Sequence, residues 1–112
     1  MKHLEILIVG REGAEALDDD DQVVTVAPAP ELAVAFLREQ GLGFDAVVLE
    51  PGVQDGFIDE LRSHRDTENV PVVRVGDRTG HVHGVDATLP PGYGRRELRD
   101  AVHHAMSRRG YM

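Results

Sequence analysis

Short apolar runs alternate with stretches of mixed polarity along the chain. Runs rich in β-branched residues occupy positions 4–9, 22–26, 45–49 and 70–75, and a shorter one occupies positions 87–89. Continuous apolar runs of this length are too short for stable helices and are typical of strands buried on both faces. We therefore predict five buried strands, the last of them short.

The segments between several of these strands carry apolar residues at helical spacing. A helix is predicted to begin at Pro30, which suits a first helical position, and to end at Gly41 and Gly43. Its apolar side chains follow the i, i+1, i+4, i+5 spacing of one helix face. They are Leu32, Ala33, Phe36 and Leu37.

Two further helices are predicted in the second half of the chain. Asp55 can cap a helix whose apolar side is formed by Phe57, Ile58 and Leu61. Residues 95–108 form the last helix. Its apolar side consists of Leu98, Ala101, Val102, Ala105 and Met106.

Alternating strands and helices predict a parallel sheet with right-handed crossovers. The fold class is therefore α/β, a flavodoxin-like three-layer α/β/α sandwich with a five-stranded parallel sheet. Functional crevices of such sheets lie at the carboxyl ends of the strands. The residues expected to meet there are Gly10, Arg11, Glu12, Glu50, Gly76 and Asp77.

Composition narrows the class of protein. The 112 residues are enough for one domain, 1–112, and contain no cysteine, which excludes disulfides and thiolate chemistry. The net charge of -8 argues against nucleic-acid binding. With neither a membrane-length apolar segment nor a signal peptide, we expect a soluble, cytoplasmic protein. Excess aspartate with a single lysine, Lys2, fits a halophilic origin.

Several polar clusters were weighed as chemical sites. His81 and His83, with Asp77 and Asp86 nearby, form a candidate metal seat, although two ligands in a loop also fit a plain polar surface. The acidic run 18–21 lacks the spaced oxygens and the glycine of a calcium loop. We expect no bound metal and no cofactor.

The remaining clusters point to no enzymatic chemistry. The glycines at 10 and 13 match neither nucleotide-binding fingerprint, and no serine, histidine and acid combine into a nucleophilic set, so we expect no enzyme. Arg95 and Arg96 are interpreted either as plain surface residues or as a contact for an acidic partner. Arg108 and Arg109 are explained by the dipole at the end of the last helix.

The order of elements resembles a response-regulator receiver domain, the phosphoacceptor module of two-component signalling and phosphorelays. The resemblance covers nearly the whole chain and rests on five stretches in sequence. They are EILIVG, FDAVVLEP, DGFIDELR, VPVVRVGD and GVDATLPP.

The resemblance also identifies departures at the positions that carry receiver chemistry. Receivers phosphorylate an Asp at the end of strand three, where this chain has Glu50. The acid pair that holds Mg²⁺ after strand one is replaced by Gly10 and Arg11, with Glu12 one position late. The Thr or Ser that binds the phosphoryl group after strand four is replaced by Gly76, which precedes Asp77.

Strand five departs in the same way. Thr88 stands where receivers have an aromatic residue, and Pro90 stands in the position of the lysine that contacts the phosphoryl oxygen. Phosphoryl transfer needs positioned cations to neutralise the transferring oxygens. Glu50 would instead hold a fixed negative charge there, either paired with Arg11 or simply pointing into water.

The sequence therefore favours a degenerate receiver, or pseudo-receiver, that acts by protein–protein contact without phosphorylation. The expected partner is a histidine kinase or another regulator, with no nucleic acid and no membrane involved. The alternatives are a divergent receiver that still binds metal or phosphoryl group, or a small α/β ligand-binding domain. The segments available for the first and fourth receiver helices are short, so both helices are expected to be shortened, and the exposed edge makes a homodimer conceivable.

Overall fold

The backbone of a computed structural model follows the alternation of strands and helices. The structure describes residues 4–10, 22–40, 43–53, 55–65, 67–76 and 84–110. In chain order the elements are β1 (Leu4–Val9), β2 (Gln22–Ala27), α1 (Pro30–Gln40), β3 (Ala46–Leu49), α2 (Asp55–Ser63), β4 (Val72–Val75), β5 (Ala87–Leu89) and α3 (Arg95–Arg108).

The five strands form one sheet in the order β2-β1-β3-β4-β5, and every neighbouring pair is parallel. β1 lies inside the sheet, where Leu7 pairs with Thr25 of β2 on one side and with Val47 of β3 on the other. The chain reverses its direction of winding after β2, so the sheet is doubly wound. The predicted flavodoxin-like fold with a five-stranded parallel sheet is confirmed.

The helices pack on both faces of the sheet. Successive side chains of a strand point to opposite faces. Ile6 and Ile8 of β1 accordingly join the core cluster under α3, whereas Leu7 and Val9 join the cluster under α1 and α2. These four side chains have at most 1% of their surface exposed. Residues buried on both faces explain why the strands have continuous apolar runs.

Strands β3 and β4 begin later than predicted, at residues 46 and 72. Asp45 lies just before β3, where its Oδ2 accepts a hydrogen bond of 2.8 Å from the backbone N–H of Glu5. Val70 lies before β4, and its carbonyl accepts a hydrogen bond of 2.6 Å from Nη1 of Arg62. Side-chain hydrogen bonds thus add to the backbone contacts at both strand starts, where the Asp45 N–H also donates to the carbonyl of Glu5 and the Val47 N–H donates to that of Pro71.

The predicted apolar face of α1 is wrong at Leu32. Ala33 and Leu37 are buried at spacing i, i+4, and Phe36 packs partly against the same core cluster. Leu32 remains 44% exposed. Val34 packs partly against this cluster as well, so the stripe that contacts the sheet is shifted away from Leu32 toward Val34.

The predicted shortening of the first and fourth receiver helices stays a prediction. The segments concerned, 11–21 and 77–83, lie outside the described residues. The capping role expected of the Asp55 side chain lies outside them as well, although α2 does begin at this residue.

Candidate functional site at the carboxyl edge of the sheet

The carboxyl ends of β1, β3 and β4 meet at one edge of the sheet. The backbone N–H of Glu50 donates a 3.0 Å hydrogen bond to the carbonyl of Val9, so Glu50 lies directly beside Gly10. Gly76 continues the edge beyond β4, where its N–H donates a 3.0 Å hydrogen bond to the carbonyl of Leu89. Three of the predicted site residues, Gly10, Glu50 and Gly76, are thus brought to the same edge.

The Glu50 side chain occupies the space above Gly10. A Cβ atom added to Gly10 would lie 2.6 Å from the Cβ of Glu50 and nearer still to its Cγ. Heavy atoms that are not bonded do not approach so closely, so position 10 has no room for a side chain in this arrangement. The structure therefore links the glycine at position 10 to the residue at position 50.

Tyr93 supplies the hydrogen-bond donor that Glu50 meets at this edge. The hydroxyl of Tyr93 donates a 3.0 Å hydrogen bond to Oε1 of Glu50, across 43 positions of sequence. Its ring packs against the core cluster under α3. Burial raises the pKa of Tyr93 well above its usual range, and the charge and hydrogen bond of Glu50 raise it further. The hydroxyl is therefore a neutral donor at physiological pH.

The position of Tyr93 depends on the turn between β5 and α3. Gly92 has a φ of +79°, a left-handed conformation that residues with a Cβ rarely adopt. The turn brings Tyr93 back over the edge just before α3 begins at Arg95. Glu50 is accordingly half-buried and hydrogen-bonded, which corrects the alternative in which it simply points into water.

Of the other predicted site residues, the structure describes Thr88 and Pro90. Thr88 is exposed on β5 and pairs in register with Arg74, and Pro90 is exposed at the following turn. Arg11, Glu12 and Asp77 lie outside the described residues, so the predicted pairing of Arg11 with Glu50 stays a prediction.

Asp86, which the sequence places near the candidate metal seat of His81 and His83, is bound by other protein groups. It lies just before β5, at the amino edge of the sheet, and it is 7% exposed. Its Oδ2 accepts hydrogen bonds from the Val72 backbone N–H at 2.9 Å and from Nη2 of Arg62 at 3.1 Å. The Nε of Arg109 lies 2.9 Å from its Oδ1.

This carboxylate joins the two faces of the sheet. Arg62 belongs to the last turn of α2, and Arg109 follows α3 on the opposite face. The interpretation of Arg109 as a residue that only complements the helix dipole is therefore incomplete. His81 and His83 lie outside the described residues, and within the described part of the chain no three metal-ligating side chains cluster.

A groove opens from the carboxyl edge between the first turn of α1 and the flank of α2. It encloses about 1120 Å³, and Glu50 lies in its wall with Val9, Gly10 and Phe57. At its far end, Nη2 of Arg38 lies 3.3 Å from Nδ1 of His64, which connects α1 to α2. The edge cluster is thus continuous with a surface groove.

Solved structures with the same architecture are receiver domains and related signalling proteins. The chain superposes on a sensor protein from Polaromonas sp. JS666 with a TM-score of 0.80 and 15% identity, covering 97% of this chain and 100% of that one. The fold is that of a receiver domain. The chemotaxis response regulator CheY4 of Vibrio cholerae gives a TM-score of 0.72 at 16% identity, covering 93% of this chain and 99% of that one.

A third neighbour extends the receiver likeness over nearly the full chain. The signal receiver domain of an HD domain-containing protein from Pseudomonas fluorescens Pf-5 gives a TM-score of 0.74 at 12% identity and covers 99% of this chain and 100% of that one. No protein-family model matches the chain, and no curated protein matches it in sequence. At such low sequence identities the likeness to receivers establishes only the fold. Any activity has to be argued from the residues of the site.

The sequence did not predict the contact of Tyr93 with Glu50, nor the two arginines that bind Asp86. A tyrosine between two glycines in a turn carries no local signal of a contact 43 positions away.

None of the helices in the described ranges is both long and apolar enough to cross a bilayer.

Proposed function

We propose that the chain is a pseudo-receiver, a module with the receiver fold that works through protein–protein contact and takes no phosphoryl group at Glu50. The observation that carries the proposal is the cluster of Gly10, Glu50 and Tyr93. In this cluster the side chain of Glu50, the acid at the phosphoacceptor position, lies against Gly10 at the end of the neighbouring strand. It accepts a hydrogen bond from the neutral hydroxyl of Tyr93.

The chemistry of the cluster argues against phosphoryl transfer. A transferring phosphoryl group needs cations around its oxygens. Glu50 accepts a hydrogen bond from the hydroxyl of Tyr93, whose pKa is raised. This hydroxyl is a donor that carries no positive charge. Position 10, where receivers carry one acid of the Mg²⁺-binding pair, has no space for a carboxylate beside Glu50. Position 10 thus lacks the acid that would help to hold Mg²⁺, and the donor at Glu50 carries no positive charge.

The test is the intact mass of the protein after incubation with acetyl phosphate and Mg²⁺. We expect no added phosphoryl mass, under conditions in which a receiver with the usual Asp and acid pair is phosphorylated. The matched variants Glu50→Asp and Tyr93→Phe should also stay unmodified, because neither restores a cation. A phosphoryl adduct on the unmodified chain would overturn the proposal, and peptide mapping would identify the acid that carries it.

The proposed partners are signalling proteins, a histidine kinase or another regulator, and the proposed location is the cytoplasm. A homodimer and a halophilic origin are part of the same proposal. Sedimentation velocity at low and at multimolar salt examines both. A halophilic protein should be compact only at high salt, and a homodimer should show a concentration-dependent sedimentation coefficient.

A further inference from the structure

The groove between α1 and α2 has an acidic rim. Glu31 in the first turn of α1 faces Asp59 and Glu60 of α2 across the opening, and all three side chains are exposed. Glu50 adds a fourth carboxylate at the carboxyl edge of the sheet. The described residues that line the groove include no lysine or arginine, and the cation of Arg38 contacts the lining residue His64 at the far end. A cationic occupant would therefore be attracted from both sides.

The inner surface of the groove is more apolar than polar. Val9 and Phe57 form its floor, and Pro28 and Pro51 are exposed at its margins. Gly56 leaves the flank of α2 open, since a Cβ added there would meet nothing within 4 Å. An occupant that places apolar side chains on this floor would gain affinity from their removal from water.

The size of the groove favours a polypeptide over a small molecule or an ion. Its volume of about 1120 Å³ lies slightly above the roughly 300–1,000 Å³ of typical small-molecule pockets, and it is open to solvent. A metal ion would need converging ligands, and none of the described residues form such a group. An extended or helical segment would fill the space and reach both rims.

We propose that this groove binds a basic segment of a partner protein, one in which arginine or lysine alternates with apolar side chains. The cations would pair with Glu31, Asp59 and Glu60, and the apolar side chains would cover the floor. The inference rests on the proposed function, because it names the class of partner that the interaction module recognises.

A second copy of the chain is the competing occupant. Residues 95–109 carry five arginines and two acidic residues, so α3 could in principle offer positive charge to the groove of another molecule. Such a contact would join two different surfaces, and it would close as a reciprocal dimer or a ring or extend into open chains. A net charge of -8 opposes self-association of this kind, and a separate basic partner is therefore favoured.

The experiment uses a fluorescent peptide of alternating arginine and leucine, with fluorescence anisotropy as the readout. The salt is the lowest concentration, at or above about 0.15 M, at which sedimentation shows the chain to be compact, and attraction by distant charges is screened there. Two double variants change the net charge equally. Asp59→Lys with Glu60→Lys alters the groove, and Glu68→Lys with Asp100→Lys alters exposed acids elsewhere. Gly56→Gln fills the groove without a change in charge.

The groove double variant should weaken binding about tenfold or more, and Gly56→Gln should weaken it severalfold, whereas the control double variant should change it less than about twofold. A peptide of arginine and serine should bind more weakly than the arginine–leucine peptide, because it cannot cover the apolar floor. Equal losses in the two double variants would show attraction by net charge alone and would overturn the inference.

Sedimentation of the chain by itself separates the second copy from a partner. Concentration-dependent association that the groove variant abolishes would assign the groove to another copy and would also overturn the inference. Failure of peptide binding leaves the proposed function standing, since that depends on the phosphorylation assay. A phosphoryl adduct would remove the proposed function whatever the peptide does.

Discussion

The hydrogen bond between Tyr93 and Glu50 makes a quantitative prediction about stability. Tyr93→Phe removes the hydroxyl and keeps the ring that packs against the core cluster under α3. Hydrogen bonds to charged groups contribute roughly 1.5–3 kcal/mol to folding. Tyr93 and Glu50 are only half-buried, so we expect the lower end, a loss of about 1.5 kcal/mol in the free energy of unfolding.

A double-mutant cycle isolates this contact from other effects of the substitutions. The four proteins are the unmodified chain, Tyr93→Phe, Glu50→Ala and the double variant, each unfolded in urea near neutral pH and followed by far-ultraviolet circular dichroism. The coupling energy should be about 1–2 kcal/mol, within the range measured for residues in contact. Additive losses, with coupling below about 0.3 kcal/mol, would refute the contact on which the proposed site depends.

The raised pKa of Tyr93 adds a pH dependence to this prediction. The folded protein holds the Tyr93 proton more tightly than the unfolded chain does, in which the pKa of tyrosine is about 10. The stabilisation is therefore fully present below about pH 10 and is lost as pH rises from there through the folded pKa. Unfolding measured from pH 8 upward should show this loss in the unmodified chain and not in Tyr93→Phe.

The second tyrosine provides the matched control. Tyr111 lies outside the described residues, and Tyr111→Phe should leave the alkaline loss of stability in place. If the loss disappeared with Tyr111 and persisted without Tyr93, the assignment of the raised pKa to Tyr93 would be wrong.

Three further substitutions examine the rest of the structure by urea unfolding. Asp86→Asn should lower the free energy of unfolding by about 2–3 kcal/mol, because two arginines lose their shared carboxylate. The control Asp100→Asn changes an exposed acid and should alter the free energy of unfolding by less than about 0.5 kcal/mol. Gly84→Ala should cost about 1–3 kcal/mol, since its φ is +88° and the added Cβ would lie 2.6 Å from Cγ2 of Ile58. Gly56→Ala, where the added Cβ meets nothing, should be neutral or stabilising by up to about 1 kcal/mol, and a loss of stability there would contradict the open flank of α2.

The elements of the fold were predictable because burial on both faces leaves a continuous signal in the sequence. Positions 4–9 are apolar at nearly every residue, and both neighbours of β1 in the sheet are strands. The errors arise where a side chain lies at a margin. Leu32 belongs to the apolar stripe of α1 by spacing, yet the contact with the sheet is centred on Ala33 and Leu37.

The site was predictable only in part, because its position and its partners come from different kinds of information. The carboxyl edge follows from the topology, which brings Gly10, Glu50 and Gly76 together. The donor to Glu50 follows from the conformation of a turn, and a turn between two glycines admits many conformations. Tyr93 therefore becomes visible only once the turn after β5 is placed.

Two acids, the buried Asp86 and the half-buried Glu50, show which edge of the sheet is available for recognition. Asp86 is held by two guanidinium groups and a backbone N–H, so its charge is compensated and its role is to tie the helices of both faces together. Glu50 accepts a hydrogen bond from the neutral hydroxyl of Tyr93 and lies in the wall of an open acidic groove. Its negative charge therefore adds to the electrostatic field that acts on an incoming group. In a receiver the corresponding charge is compensated by Mg²⁺ and lysine from within the pocket. In the proposed complex, a cation of the partner would add to the compensation of Glu50, so that binding itself would help to complete the site.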